Sequence, residues 1–190
     1  INAYVKKRHP EFYPIFSGFS RNIMRADVIR YILMHDIGGM YCDLDYEFIR
    51  PYSYGDSELV LGYEFDQSYG DPCNQIANFV FASVPGHLFW KDVLLDLQHN
   101  PPQATSYLDI CGMTGPGLLS RIYKENYQRY SNVTVEPRRV FHPFRMRGKN
   151  ERQILLNNGM TIGVHHASGS WRERWTLAYL KEKLRKLWNN

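Results

Sequence analysis

A chain of 190 residues is long enough for one domain with a sizeable core, and 44% hydrophobic with 15% aromatic residues excludes a disordered polypeptide. The formal charge of +4 is modest and no nucleic-acid motif accompanies it, which argues against DNA or RNA and fits an anionic small molecule or a membrane surface. Three cysteines, Cys42, Cys73 and Cys111, lack C-x-x-C spacing and argue against a zinc site or a disulfide scaffold, one pair in an oxidising compartment staying open. There is no run of about 18 apolar residues and no signal-peptide pattern. A first residue of Ile1 rather than Met leaves an upstream anchor or signal open.

In chain order, Ile1 to Tyr13 mixes Lys6, Lys7, Arg8 and His9 with Tyr4 and Phe12, and reads as a short helix or approach segment ending near Pro10 or Pro14. Met24 to Asp36 is apolar nearly all round (Ala26, Val28, Ile29, Tyr31, Ile32, Leu33, Met34), which predicts a largely buried helix stopped by Gly38-Gly39. From Met40 to Phe48 the residues alternate. Met40, Cys42, Leu44, Tyr46 and Phe48 are apolar or aromatic, whereas Tyr41, Asp43, Asp45 and Glu47 carry oxygen. Period two predicts a strand with Asp43 and Asp45 on one face, closed by Arg50-Pro51.

Further strands are predicted at Leu59 to Glu64 and Ala77 to Ala82, around a polar loop from Asp66 to Gln75 that holds Gly70 and Pro72. A helix follows from Pro85 to Gln98 and breaks at Asn100-Pro101-Pro102. Thr114-Gly115-Pro116-Gly117 opens another, to about Tyr127, where a helix start can offer N–H groups to an anion. Val133 to Val135 and Met160 to Val164 read as short strands.

The last predicted helix, Arg172 to Trp188, sets Trp175, Leu180, Leu184, Leu187 and Trp188 against Arg172, Arg174, Lys181, Lys183, Arg185 and Lys186. Such a basic amphipathic helix either touches a membrane surface or docks on its own domain. Strands alternating with helices predict a single α/β domain over residues 1–190, without internal repeats.

Two like charges on one face repel unless a cation sits between them, and hard oxygen ligands suit Mg²⁺ or Mn²⁺, ions that share their remaining positions with water or phosphate. The plain alternative for Asp43 and Asp45 is a solvated strand face. Asp27 and Arg30, three apart, share a helix face and form either an ion pair or a ligand contact. His165 and His166 end a strand and point to opposite faces, so one of them at most faces an ion.

Taken in order, Arg25-Ala26-Asp27-x-x-Arg30-Tyr31, Gly38-Gly39-x-Tyr41-x-Asp43-x-Asp45, Asn78 through Pro85-Gly86-His87, Thr114-Gly115-Pro116 and His165-His166-x-x-Gly169-Ser170-Trp171 resemble the sugar-binding DXD glycosyltransferases of family thirty-two. That family includes fungal outer-chain mannosyltransferases, inositol-phosphoceramide mannosyltransferases and bacterial capsule or polysaccharide transferases. The resemblance implies a GT-A-like, Rossmann-type α/β/α sandwich, a nucleotide-diphospho-sugar donor linked to UDP or GDP, Mn²⁺ or Mg²⁺, and a retaining transfer of a hexose to a glycan or glycolipid hydroxyl. It also implies a base-binding first strand that does not precede Ile1, and so a domain truncated at its N-terminus.

By the same resemblance, Asp45 is the principal metal ligand, with His165 as a third metal or diphosphate contact. Asp43 touches ribose or sugar and supports the ion through water, Asp27 binds a sugar hydroxyl, and Arg30 braces Asp27 or touches phosphate. Tyr41 packs beside the nucleotide or is a plain core tyrosine, Gly115 meets acceptor or diphosphate or belongs to an ordinary turn, His166 is a substrate-binding candidate, and Ser170 and Trp171 shape the phosphate end. Asn78 is the residue near the anomeric carbon, with Gln75, Asp71 and Glu64 as alternatives. The compartment is the Golgi lumen for a eukaryotic source and the cytoplasm or inner-membrane face for a bacterial one. Two rival classes stay open: a metal-dependent phosphohydrolase and a non-catalytic sugar-nucleotide or glycan-binding module.

Overall fold

The computed structural model describes residues 1–104, 106–143, 153–154 and 157–167. The N-terminal stretch forms the short helix α1 (Asn2–Arg8), and a second, α2 (Tyr13–Gly18), follows it without a prediction of its own. Pro14 lies in the first turn of α2, where a missing N–H costs nothing. Helix α3 (Asn22–Asp36) follows, and its buried face carries Met24, Val28, Tyr31, Ile32 and Met34 together with Asp27 and Arg30. The stop is at Gly38: φ is +70°, and its N–H reaches the carbonyls of Leu33 (3.2 Å) and Met34 (3.1 Å).

The predicted strand from Met40 to Phe48 is two strands, β1 (Gly39–Cys42) and β2 (Tyr46–Phe48), with a turn at Asp43–Asp45. Tyr46 N–H closes that turn on the Asp43 carbonyl at 3.0 Å. Leu44, placed inward by strict alternation, stands fully exposed at the tip. Period two holds only along one continuous pleat, and this turn resets it. The remaining strands are β3 (Leu59–Phe65), β4 (Gln75–Ile76), β5 (Val80–Ser83), β6 (Val133–Glu136) and β7 (Gly163–His165).

The strand predicted over Ala77 to Ala82 is likewise broken: β4 pairs with the end of β3 and β5 with its beginning, and residues 78–79, after the Ala77 N–H bond to the Gly62 carbonyl, leave that edge. Strand β5 also pairs antiparallel with β1, and β6 lies parallel on the other edge of β3. Among the described residues β3–β6 is the parallel pair of a five-stranded, otherwise antiparallel sheet, and β2–β7 forms a separate antiparallel pair. The α/β class agrees with the alternation of elements, and the sheet is mixed.

Helix α4 (Leu88–His99) packs against both α3 and α6 (Pro116–Asn126), while α3 also packs against β1 and β5. Trp90 of α4 stacks on Tyr31 at 5.7 Å and meets Phe81 at 4.8 Å, which fixes helices to sheet through fully buried rings. Two more helices carried no prediction. Helix α5 (Tyr107–Met113) starts in a capping box in which Ser106 and Asp109 satisfy each other's main chain, and α7 (Arg138–Phe141) buries Phe141 against β3. A second apolar cluster, with Tyr46, Val60, Phe79, Phe141 and Ile162, lies beneath β2 and β7.

An alanine at Gly38 would combine left-handed φ with a Cβ only 2.6 Å from the Ser83 carbonyl and 2.7 Å from Pro85 N. Gly38→Ala should therefore cost about 2 kcal/mol or more in denaturant unfolding. His87, buried at the N-cap of α4, accepts the Phe89 N–H on Nδ1, and burial holds its pKa below the ordinary value. An imidazole depressed in the fold contributes stability above about pH 6.5 and loses it as pH falls. His87→Asn keeps a capping acceptor and should show a smaller drop in Tm than the wild type between about pH 7 and about pH 5. Equal drops would contradict the assignment.

Candidate metal centre

One turn of α3 carries both charged residues inward: Asp27 is 3% exposed and Arg30 6%. Charges this deep are tolerated only when every polar atom is matched. Asp27 Oδ1 accepts from Asn78 Nδ2 (3.2 Å) and lies 3.2 Å from Arg30 Nη2, and its Oδ2 accepts from Thr114 Oγ1 (3.1 Å). Arg30 spends its donors in three directions. Nε donates to the Ala26 carbonyl (3.1 Å), and Nη1 donates to the Asn78 carbonyl (2.7 Å) and to Asp43 Oδ1 (3.0 Å). The Tyr41 ring lies under the guanidinium at 4.7 Å, while its hydroxyl donates to the same Asp43 oxygen at 2.6 Å.

Burial pushes the Asp27 carboxyl up to about 7 against the pull of Arg30 and Thr114. Burial also opposes the charge on Arg30, yet Asp27 and Asp43 overcome it and raise its pKa. Burial raises the Tyr41 phenol, so Tyr41 stays a neutral donor.

The turn after β1 aims Asp43 and Asp45 at a common point, and β7 brings the third group. Tyr46 pairs with His165 in the β2–β7 ladder, and the His166 N–H donates to the Asp45 carbonyl at 2.9 Å. His165 Nε2 then lies 3.1 Å from Asp45 Oδ1 and 3.7 Å from Asp43 Oδ2. One donor atom from each of Asp43, Asp45 and His165 falls within 4.8 Å of the others, and all three residues are half-buried. Burial lowers the His165 pKa against the pull of both carboxylates, which favours the neutral imidazole a ligand must be. Two carboxylates and one imidazole fit Mn²⁺, and Mg²⁺ with more water in its shell.

The other predicted residues divide. Asn78 is brought in, but it faces inward, tied to Asp27 and Arg30. Tyr41 is beside Asp43 as the alternation implied. Gly115 caps α6 next to Thr114, and its N–H is engaged by the Ile110 carbonyl at 2.9 Å. His166 points away from the three ligands, 3.0 Å from Glu47 Oε2 on the exposed side. Gln75 bonds Glu64, and Asp71 bonds Arg138, so these three serve the neighbouring loop. Ser170, Trp171 and the helix predicted over 172–188 lie outside the described residues.

Two participants carried no prediction of their own. Thr114 stood inside a motif read as a helix start open to an anion, with no role for its own hydroxyl, and Phe79, stacked on the His165 imidazole at 4.2 Å, has no periodic or motif signal.

Residues 1–65, which contain Asp27, Arg30, Asp43 and Asp45, match the family model described as glycosyltransferase sugar-binding region containing DXD motif. Mannosyl phosphorylinositol ceramide synthase CSH1 of Saccharomyces cerevisiae is 32% identical over 133 residues, 70% of this chain and 34% of that protein. Mannosyl phosphorylinositol ceramide synthase SUR1 of the same yeast is 33% identical over 144 residues, 74% of this chain and 35% of that protein. Inositol phosphoceramide mannosyltransferase 2 of Schizosaccharomyces pombe is 32% identical over 127 residues, 66% of this chain and 35% of that protein. The chain thus spans about a third of the length of these curated relatives. No solved structure matches it. Together the matches support a DXD-containing glycosyltransferase family, and the mixed α/β fold is consistent with a glycosyltransferase domain.

Thr114→Val keeps the shape of a fully buried side chain and deletes its hydroxyl from Asp27. Unfolding free energy should fall by about 1–3 kcal/mol. A loss below about 0.3 kcal/mol would show that Asp27 does not depend on that donor.

Proposed function

We propose that this chain, whose residues 1–65 match the sugar-binding region of DXD glycosyltransferases, is the GT-A-like domain of a retaining, metal-dependent hexosyltransferase of family thirty-two. It moves a hexose from a UDP- or GDP-linked donor to a hydroxyl of a glycan or glycolipid. The names of the relatives favour mannose as the sugar and an inositol phosphoceramide lipid as the acceptor. The observation that carries this reading is the convergence of Asp43, Asp45 and His165, with Asp43 fastened from behind by Arg30, inside and opposite the matching stretch.

A divalent ion held by Asp43, Asp45 and His165 would neutralise charge on the leaving nucleoside diphosphate. The chain's own residues do the rest. Arg30 and Tyr41 occupy Asp43 Oδ1, which leaves Oδ2 to turn toward ribose or sugar. Asp27 and Arg30 form the floor beneath the donor sugar, and a bond from Asp27 to a sugar hydroxyl exchanges one of its present donors, Asn78 or Thr114. Asn78 lies next to the anomeric carbon, Tyr41 beside the nucleotide, and Gly115 along the acceptor or diphosphate. Ser170 and Trp171 would serve the phosphate end, whereas His166, bonded to Glu47 away from the three ligands, has no part in it.

We read residues 1–190 as one domain, with 172–188 as its peripheral membrane contact. No helix among the described residues is long and apolar enough to cross a membrane. A eukaryotic source would place the domain in the Golgi lumen.

Calorimetry of the full-length protein with Mn²⁺ and then GDP or UDP should show the nucleotide binding only with the metal. Asp45→Ala should lower metal-dependent transfer at least about 100-fold with the fold intact, and Asp43→Asn should do so less severely. Near-normal transfer by Asp45→Ala would remove the metal assignment. Release of phosphate from a simple ester would favour the phosphohydrolase, and metal and nucleotide binding without any transfer would favour the binding module.

A further inference from the structure

A metal-bound histidine is normally held in register by a hydrogen bond to its second ring nitrogen, since the imidazole torsion is otherwise broad and soft. No described residue hydrogen-bonds His165 Nδ1; the ring meets the carboxylates through Nε2, lies flat on Phe79 and is met edge-on by His142 at 5.8 Å. The ring centroids are 4.2 Å apart and the planes 19° from parallel. Phe79 is itself 2% exposed, with Tyr46 and His142 also packed on its ring, at 6.1 Å and 5.3 Å. It is a buried surface against a half-buried side chain.

The same residue also holds the other side of the site. Beyond Ala77, whose N–H still reaches the Gly62 carbonyl of β3 at 2.8 Å, residues 78–79 leave that edge, and this departure lets the Phe79 carbonyl accept the Asp43 N–H at 2.8 Å, one step beyond the Cys42–Val80 pair of the β1–β5 ladder. Its neighbour Asn78 binds Arg30 and Asp27. One residue therefore fixes the main chain of one candidate ligand and the ring plane of another.

We propose that Phe79 is the positioning residue of the metal centre, setting His165 Nε2 toward Asp43 and Asp45 by stacking in place of the usual hydrogen bond. The inference rests on the metal reading above. It makes the β4–β5 break a functional feature, since an unbroken strand along β3 would put neither the ring nor the carbonyl where they are.

The test is a Mn²⁺ titration of the full-length protein followed by electron paramagnetic resonance, with NMR of the metal-free wild type. Phe79→Leu, which keeps apolar bulk and removes the flat face, should weaken Mn²⁺ about 10-fold or more, and Phe79→Tyr, which keeps the face, should restore binding to within about two-fold of wild type. The His165 ring protons, assigned with His165→Gln, should be displaced upfield by the Phe79 ring current. Mn²⁺ binding by folded Phe79→Leu equal to wild type overturns the inference and leaves the metal reading standing. A wild type that binds no Mn²⁺ overturns both. Should Phe79→Leu not fold, the wild-type shifts decide: undisplaced His165 protons overturn the stack.

Discussion

The buried guanidinium of Arg30 is the constraint on which the site depends. It sits at 6% exposure and reaches three stretches of chain far apart in sequence: its own helix through Asp27 and Ala26, the Asn78 carbonyl, and Asp43 in the turn after β1. Removing one partner of such an arrangement typically costs about 3–5 kcal/mol, because the others are left charged and desolvated. The charges also set what the surface can accept. Arg30 and Asp27 balance each other inside, and Asp43 and Asp45 remain as two carboxylates facing a neutral imidazole. A divalent cation is the species that closes that balance.

The centre straddles two sheets. Strand β1 belongs to the five-stranded sheet and β2 to the small β2–β7 pair, so the turn between them, which carries both aspartates, is the hinge of the fold as well as its ligand loop. His165 enters from the small pair and Phe79 from the large sheet. Metal ligation would therefore tie the two sheets together, and the packing of Tyr46 and Phe79 beneath them does so already without metal.

Much of this was legible before the coordinates. The largely apolar run from Met24 to Met34 and the double glycine marked α3 and its stop, and the three-residue spacing put Asp27 and Arg30 on one face. Asp43 and Asp45 do converge, but through a turn rather than a pleat, and the exposed Leu44 marks where alternation stops being informative. Periodicity reports which residues share a face of one element. It carries no record of which distant carbonyl an arginine will find, or which ring will lie under a histidine. That is why Arg30 to Asp43, Thr114 to Asp27 and Phe79 to His165 appear only in three dimensions, and why the capping box of α5, written openly in Ser106 and Asp109, was the one missed element with a local signal.

The direct test of Arg30 as the common support is a double-mutant cycle between Arg30→Met and Asp43→Asn, read by denaturant unfolding of the metal-free protein. A coupling energy of about 1–3 kcal/mol is the predicted result, since the two side chains share one hydrogen bond, one charge pair and one tyrosine. Additive losses, with coupling below about 0.3 kcal/mol, would contradict it and detach the metal-facing aspartate from the buried cation behind it.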